Sequence, residues 1–264
     1  MSDQQTIADS KRAFHHAFPY VIPPLYRRTA DELLVELNLL SHQKQFKADA
    51  LFAVGLAQVF DAFTLGYQPQ EHLKPLFEAL CHSSEFDPNA LRDQATKTLE
   101  TVSGHNVEQV EGWLKNEGRG APEALAQGLN RIGSETFHYS RLMAVGLLSV
   151  LSAAKGEEAS DPQQLSKKAH ELCDAIGFSK ARVEKDLNLY NSNLEKMAQA
   201  VEMMEETLAS ERRKLERQKS ESASLETPQE NSQELEAQST SNSGSGNSGS
   251  GDSGPSGSGS GSDV

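Results

Sequence analysis

Residues 49–66, DALFAVGLAQVFDAFTLG, form one of the two most apolar stretches of the chain and indicate the kind of core it builds. Asp49 is a good N-cap residue, and Gly66 followed by Pro69 ends the helical pattern. The stretch therefore predicts a helix, and its apolar composition places that helix at the centre of a bundle.

A second stretch has a similar sequence: LFAVGL at 51–56 resembles LMAVGL at 142–147. A glycine inside a helix costs about 0.5–1 kcal/mol relative to alanine, so each glycine is expected to permit a close approach. We predict that helices 49–66 and 138–154 cross near Gly55 and Gly146. Either an internal duplication or the convergence of two apolar helices on similar residues would explain this similarity.

The rest of the chain also carries residues that typically begin and end helices. Apolar residues at helical spacing follow Pro23-Pro24, and Asp87-Pro88 and Asp161-Pro162 each combine a capping side chain with a proline at the first helical position. No sustained alternating run indicates a strand. The prediction is an all-α, single-domain multi-helix bundle, with further helices at 24–40, 70–83, 88–101 and 162–176 and two short ones beginning at Asn106 and Pro122.

The last predicted helix, 179–219, has the most regular pattern. Nine of its ten seam positions are apolar, and they alternate by four and three over more than four heptads: Val183, Leu187, Tyr190, Leu194, Met197, Val201, Met204, Leu208, Glu211 and Leu215. The charged end of the helix, Glu205–Lys219, is expected to project from the body. Packing of the first half on its own bundle, an intermolecular coiled coil and a partner-docking helix all remain open.

The end of the chain differs in composition. Residues 221–264 contain seven acidic residues, no Lys or Arg, and eight of the 19 glycines, alternating with serine. Such a segment buries too little apolar surface to offset its ordering entropy. We therefore predict a helical body at 1–178, a long amphipathic, coiled-coil-like helix at 179–220 with its first half packed on the body, and a disordered acidic Gly/Ser tail at 221–264.

Charge and motifs exclude several classes of function. The formal net charge of −13 disfavours nucleic-acid binding, which needs a basic stripe. The longest uncharged apolar run, 142–154, is shorter than the roughly 20 residues of a membrane span, and the N-terminus predicts neither a signal nor a transit peptide. No enzyme motif is present: Glu135-x-x-His138 occurs once where a di-metal bundle needs two copies, and Cys81 lacks an orienting acid. We expect no catalysis, no metal and no cofactor.

Several stretches resemble the thylakoid formation protein family. They occur in the same order as in that family, over about residues 6–190: Asp9–Phe14, Tyr26–Leu37, Ala50–Leu56, Phe60-Asp61, Gly66–Pro69, Leu76–Cys81, Phe86–Pro88 and Tyr139–Leu142. The resemblance implies an all-helical, non-enzymatic accessory factor of thylakoid biogenesis and photosystem II repair. It further implies binding to FtsH membrane protease complexes, contact with photosystem II components, and peripheral association with the cytoplasmic face of the cyanobacterial thylakoid membrane.

Two exposed surfaces are candidates for partner contact, because a helix face can dock a partner. The first is the charged face of helix 24–40, and the second is the apolar and basic side of the long helix. The predicted contact residues are Arg27, Arg28, Asp31, Glu32, Met203, Met204, Leu208, Arg212 and Leu215. An alternative interpretation is a self-associating coiled-coil structural protein at the thylakoid or vesicle surface, with a weak homodimer through the 183–215 seam. In that case Arg212-Arg213-Lys214 would touch anionic lipid.

Overall fold

A computed structural model describes residues 6–132, 137–155 and 162–225, and in this part of the chain all regular elements are helices. They are α1 (Ile7–Ala17), α2 (Pro24–Ser41), α3 (Ala50–Phe63), a 3₁₀ turn (Gln70–His72), α4 (Leu73–His82), α5 (Pro88–Val102), α6 (Val107–Lys115), α7 (Glu123–Leu129), α8 (Arg141–Ala153), α9 (Pro162–Ile176) and α10 (Lys180–Leu225). The all-α prediction is confirmed.

The most extensive packing between two helices joins α3 and α8. A Cβ atom added at Gly55 would lie 1.8 Å from the carbonyl oxygen of Leu142, and one added at Gly146 would lie 1.9 Å from that of Leu51. The two backbones therefore touch where each helix carries its glycine, and the predicted crossing is confirmed. Both helices are buried along most of their length, as the central position requires.

Local capping explains where most helices begin. The Asp49 carboxylate accepts a hydrogen bond from the Phe52 amide at 3.0 Å, and Asp87 accepts from the amides of Asn89 and Ala90. Asn106 forms a capping box with Gln109 at the start of α6. The prediction that Asp161 caps α9 lies outside the described residues, as does Glu135 of the Glu135-x-x-His138 pair.

Four predictions about helix ends were wrong. The helix predicted at 49–66 ends at Phe63, and residues 64–66 form a turn. The helix predicted at 138–154 begins only at Arg141, because residues 137–140 run without helical structure and the Ser140 hydroxyl caps the first turn. The segment 70–83 begins as a 3₁₀ turn, and the helix predicted to end at 219 continues to Leu225. Helix α1 was not predicted, although its Thr6-x-x-Asp9 capping box is visible in the sequence.

The chain divides into a compact unit that ends at Arg213 and a second unit that begins at Lys214. In the first unit, α10 buries Val183 and Leu187 completely and Met197 almost completely, while Tyr190 and Leu194 are half-buried. In the second unit, residues 214–220 are exposed helix. Residues 226–264 lie outside the described part, so the predicted disorder of the tail stays a prediction.

Candidate partner-binding surface

The outward face of α2 carries the first group of predicted contact residues. Arg27, Arg28, Asp31 and Glu32 are all exposed, and the opposite side of the helix is buried through residues such as Leu33. The Nε atom of Arg28 lies 2.9 Å from the Glu32 carboxylate. Because both side chains face solvent, this ion pair adds little to stability and leaves the face available to a partner.

Arg28 and Glu32 also form one edge of a cleft of about 230 Å³ between α2, α3, α8 and α10. Its floor is apolar and is built by Leu33, Val59, Phe63, Leu142 and Val145. Its polar rim adds Arg141 from α8, together with Asp186, Asn193 and Lys196 from α10. Apolar concavities with a few converging polar groups are the usual form of binding sites.

The rim is held in place by contacts between helices that are distant in sequence. The side chain of Glu36, on α2, accepts hydrogen bonds from Arg141 Nε at 2.5 Å and from the Ser140 hydroxyl at 3.1 Å. The Tyr139 hydroxyl donates to Asp186 on α10 at 2.8 Å. Three consecutive residues, 139–141, thus connect α8 to both α2 and α10.

Burial sets the protonation behaviour of these groups. Removal from water raises the pKa of Glu36 above its ordinary value, even though Arg141 and Ser140 favour the ionised carboxylate. The pKa of Tyr139 is raised as well, first by burial and then by its hydrogen bond to Asp186. The Tyr139 phenol therefore stays protonated at neutral pH and remains a donor to Asp186.

The second group of predicted contact residues lies further along α10 than the cleft, whose lining ends at Met197. Met203 is 68% exposed and Leu208 is 45% exposed; Met204 is half-buried and Arg212 is exposed. Leu215, in the second unit, is exposed too. The cleft includes Arg28 and Glu32 but not these five residues, nor Arg27 and Asp31.

Sequence reasoning missed most of the rim. Nothing in the sequence relates Arg141 to Glu36 or Asp186 to Tyr139, and these pairings are what place the two charges at the rim. Leu189 could have been noticed, because it is an apolar residue outside the heptad seam, and in the structure it is 46% exposed at the cleft.

The described residues offer no group of three or more His, Cys, Asp or Glu side chains that could hold a metal ion. Cys81 and Cys173 are fully buried, and burial raises their pKa values to about 12 and about 11. Both thiols are therefore protonated and shielded at neutral pH. In the described residues, no helix combines the length and the hydropathy of a membrane span.

The fold and this surface define a class: an all-helical protein built on a crossed α3–α8 pair, with an open cleft beside a long, partly exposed last helix. The family model described as "Thylakoid formation protein" matches residues 6–219. The chain belongs to the thylakoid formation protein family, as its motifs indicate, and this membership supports a role in thylakoid biogenesis or photosystem II.

Individual relatives agree with the family match. A protein described as Thf1 from Prochlorococcus marinus (strain MIT 9313) is 70% identical over 217 residues, which cover 82% of this chain and 89% of the relative. Thf1 from Parasynechococcus marenigrum (strain WH8102) is 51% identical, and the matched region covers 95% of that relative. A solved structure described as Psb29 matches with a TM-score of 0.69 at 36% identity, over 79% of this chain and 98% of that one. The relatives named Thf1 come from cyanobacteria, in agreement with the cyanobacterial origin that the family resemblance implied.

Proposed function

We propose that the chain is a non-enzymatic accessory factor that binds FtsH membrane protease complexes and stabilises or assembles them during photosystem II repair. The proposal places it peripherally at the cytoplasmic face of the thylakoid membrane, with photosystem II components as further partners. Membership of the thylakoid formation protein family is the observation that carries the proposal.

The surface described above is suited to such a role. Met203 and Leu208 expose apolar area on α10, where a helix face can bury it against a partner. Arg28 and Glu32 add a charged edge to the cleft. We assign protease contact to the predicted residues of α2 and α10, with Met203 as the apolar residue most exposed to a partner.

The test is capture of FtsH subunits from gently solubilised thylakoids by the tagged full chain and by single-site variants. Met203→Glu places a charge in the proposed apolar contact, and we expect it to reduce capture at least about tenfold. Lys185→Glu is a matched control, because Lys185 is also exposed on α10 but belongs neither to the predicted contact residues nor to the cleft lining. The double variant Arg28→Glu/Glu32→Lys keeps an ion pair while reversing its direction, and it tests the charged edge.

If the unmodified chain captures no FtsH subunit, the protease proposal is wrong. If it captures the subunits and every variant does so equally well, the protease binds another surface. If the variants and the unmodified chain have the same melting temperature, a loss of capture does not come from unfolding.

The structural alternative draws support from the exposure of the seam residues Leu208 and Leu215. A coiled coil along the whole seam would, however, compete with the first unit for Val183 and Leu187, which are already fully buried. Recovery of the chain with itself and with lipid, and without protease, would favour the structural role.

A further inference from the structure

The cleft lining on α10 belongs to a longer stripe along that helix. Its members recur at spacings of three and four residues, which places them on one side: Asp186, Leu189, Tyr190, Asn193, Lys196 and Met197. The same spacing continues beyond the cleft through Ala200, Met204, Thr207, Leu208 and Glu211. Within this continuation Met204 is half-buried, whereas Leu208 is 45% exposed and keeps apolar area available to a partner.

The two parts of the stripe match in length. Residues 186–197 and residues 200–211 each extend about 17 Å at roughly 1.5 Å per residue. A two-fold axis near residue 199 would lay the outer part of one copy antiparallel across the cleft part of the other. Leu208 would then lie beside the partner copy's half-exposed Leu189, and each contact would occur twice, as in any isologous interface.

The charges of the two parts are complementary. Arg28, Arg141 and Lys196 surround the cleft, where Arg28 pairs with Glu32, Arg141 pairs with Glu36, and Asp186 accepts from Tyr139. Lys196 forms no ion pair in the described part of the chain. The opposing stretch, 197–211, contains four glutamates and no Lys or Arg. Attraction between Lys196 and these glutamates favours this register, whereas pairing of cleft with cleft would bring the two copies of Lys196 together.

The cleft is a surface concavity and not a closed cavity, so whatever fills it also faces water on its outer side. A simple acyl chain would leave apolar surface in water, whereas an amphipathic helix presents its own polar side outward. We propose that the α2–α10 cleft is a self-docking site that binds residues 200–211 of a second copy of this chain. This inference does not rest on protease binding. The cleft side of α10 shares Tyr190 and Met197 with the heptad seam but does not include the fully buried Val183 and Leu187.

Purified full-length protein tests the proposal without any protease. Light scattering from about 5 to 200 μM should give a mass that rises from 28.8 kDa towards twice that value, as a weak interface predicts. Leu208→Glu should weaken self-association at least about tenfold, because a charge would enter the apolar contact. Ile7→Glu is the control, since Ile7 is an exposed apolar residue on α1.

A cysteine pair tests the register. Leu189→Cys mixed with Leu208→Cys should cross-link between chains, whereas either variant alone should not. In this register two copies of position 189 would lie on the order of 28 Å apart along the helix axis. The native cysteines are buried and do not interfere. Lys196→Glu should weaken the dimer severalfold, and Lys185→Glu should leave it unchanged.

A mass that stays at 28.8 kDa over the whole concentration range overturns the proposal. So does a dimer that Leu208→Glu leaves intact, or one in which Leu189→Cys cross-links to itself as efficiently as to Leu208→Cys. The last experiment is a binding titration with oleate, a single-chain anionic lipid. If one oleate binds in the cleft of each chain and the protein remains monomeric, the occupant is an amphiphile and not a second copy, and the proposal is wrong.

Discussion

The close contact of α3 and α8 makes Gly55 and Gly146 the positions where one methyl group should disturb the protein most. In Gly55→Ala the new Cβ would lie 1.8 Å from the Leu142 carbonyl oxygen and 2.6 Å from its carbon, and real Cβ contacts essentially never fall below 3.0 Å. The two helices must therefore separate by about 1.2 Å. The obstructing atoms are backbone, so no rotamer change can relieve the clash.

The expected loss of stability combines two opposing effects. Overpacking that shifts backbone costs about 1–3 kcal/mol, and this site belongs at the upper end because the whole α3–α8 contact must move. Alanine regains about 0.5–1 kcal/mol of helix propensity. We expect a net loss of about 2 kcal/mol, which lowers the melting temperature by about 4–8 °C for a chain of this size.

Thermal and urea unfolding of Gly55→Ala and Gly146→Ala measure this loss, with Gly112→Ala as the matched control. Gly112 is also within a helix, α6, but has no atom within 4 Å of an added Cβ, so its alanine variant should gain about 0.5–1 kcal/mol. The double variant Gly55→Ala/Gly146→Ala should lose less than the sum of the single losses, because one separation of the helices relieves both clashes.

Two results would refute this reasoning. One is a Gly55→Ala protein that is as stable as the unmodified chain while Gly112→Ala gains stability. The other is unchanged melting of Gly146→Leu, whose larger side chain cannot be accommodated without moving α3.

Further predictions concern the buried polar groups. Arg141→Leu should cost about 1–3 kcal/mol near neutral pH, because it leaves the largely buried carboxylate of Glu36 without its cation, while the 40% exposure of Arg141 lets solvent screen the pair; Glu36→Leu/Arg141→Leu should recover most of that loss. Since the pKa of Glu36 is already raised in the folded state and Arg141 opposes that rise, urea unfolding of Arg141→Leu should show stability recovering as the pH falls through the raised pKa and the carboxylate takes up a proton. Equal losses at pH 7 and at about pH 5 would contradict this account. Tyr67→Phe should be neutral or slightly stabilising in thermal unfolding, because it removes a buried hydroxyl that has no hydrogen-bond partner in the described residues. Tyr26→Phe should cost about 1 kcal/mol, because the Tyr26 hydroxyl donates to the Leu65 carbonyl at 3.1 Å; a larger loss in Tyr67→Phe than in Tyr26→Phe would contradict the pair of predictions.

Much of the fold could be predicted from local patterns. Asp49, Asp87 and Asn106 cap helices that begin where the sequence indicates, because a cap needs only a side-chain oxygen two or three residues before the amides it accepts from. The crossing of α3 and α8 could also be predicted, since a glycine within an apolar helix is costly unless it permits a close contact. The family could be identified because its motifs occur in a specific order.

The candidate site was only half predicted. The exposed face of α2 and the exposed apolar residues of α10 follow from helical periodicity, because residues three and four apart share a side. The start of α8 was misplaced because periodicity extends an apolar pattern backwards until something interrupts it. The interruption here is Ser140, whose hydroxyl caps the helix and also donates to Glu36, 104 residues earlier in the chain.

The sequence by itself determined the helices, their caps and the glycine crossing, since each depends on residues within a few positions of one another or on the small size of one residue. The cleft was decided by tertiary structure alone, because its rim requires Arg28, Arg141 and Lys196 from three helices to meet above a common apolar floor. The charges of that rim take their positions from partners across the fold, as Arg141 does from Glu36. Helical hydrogen bonds join residues four apart and leave a local trace in the sequence, whereas contacts across about 100 residues leave none.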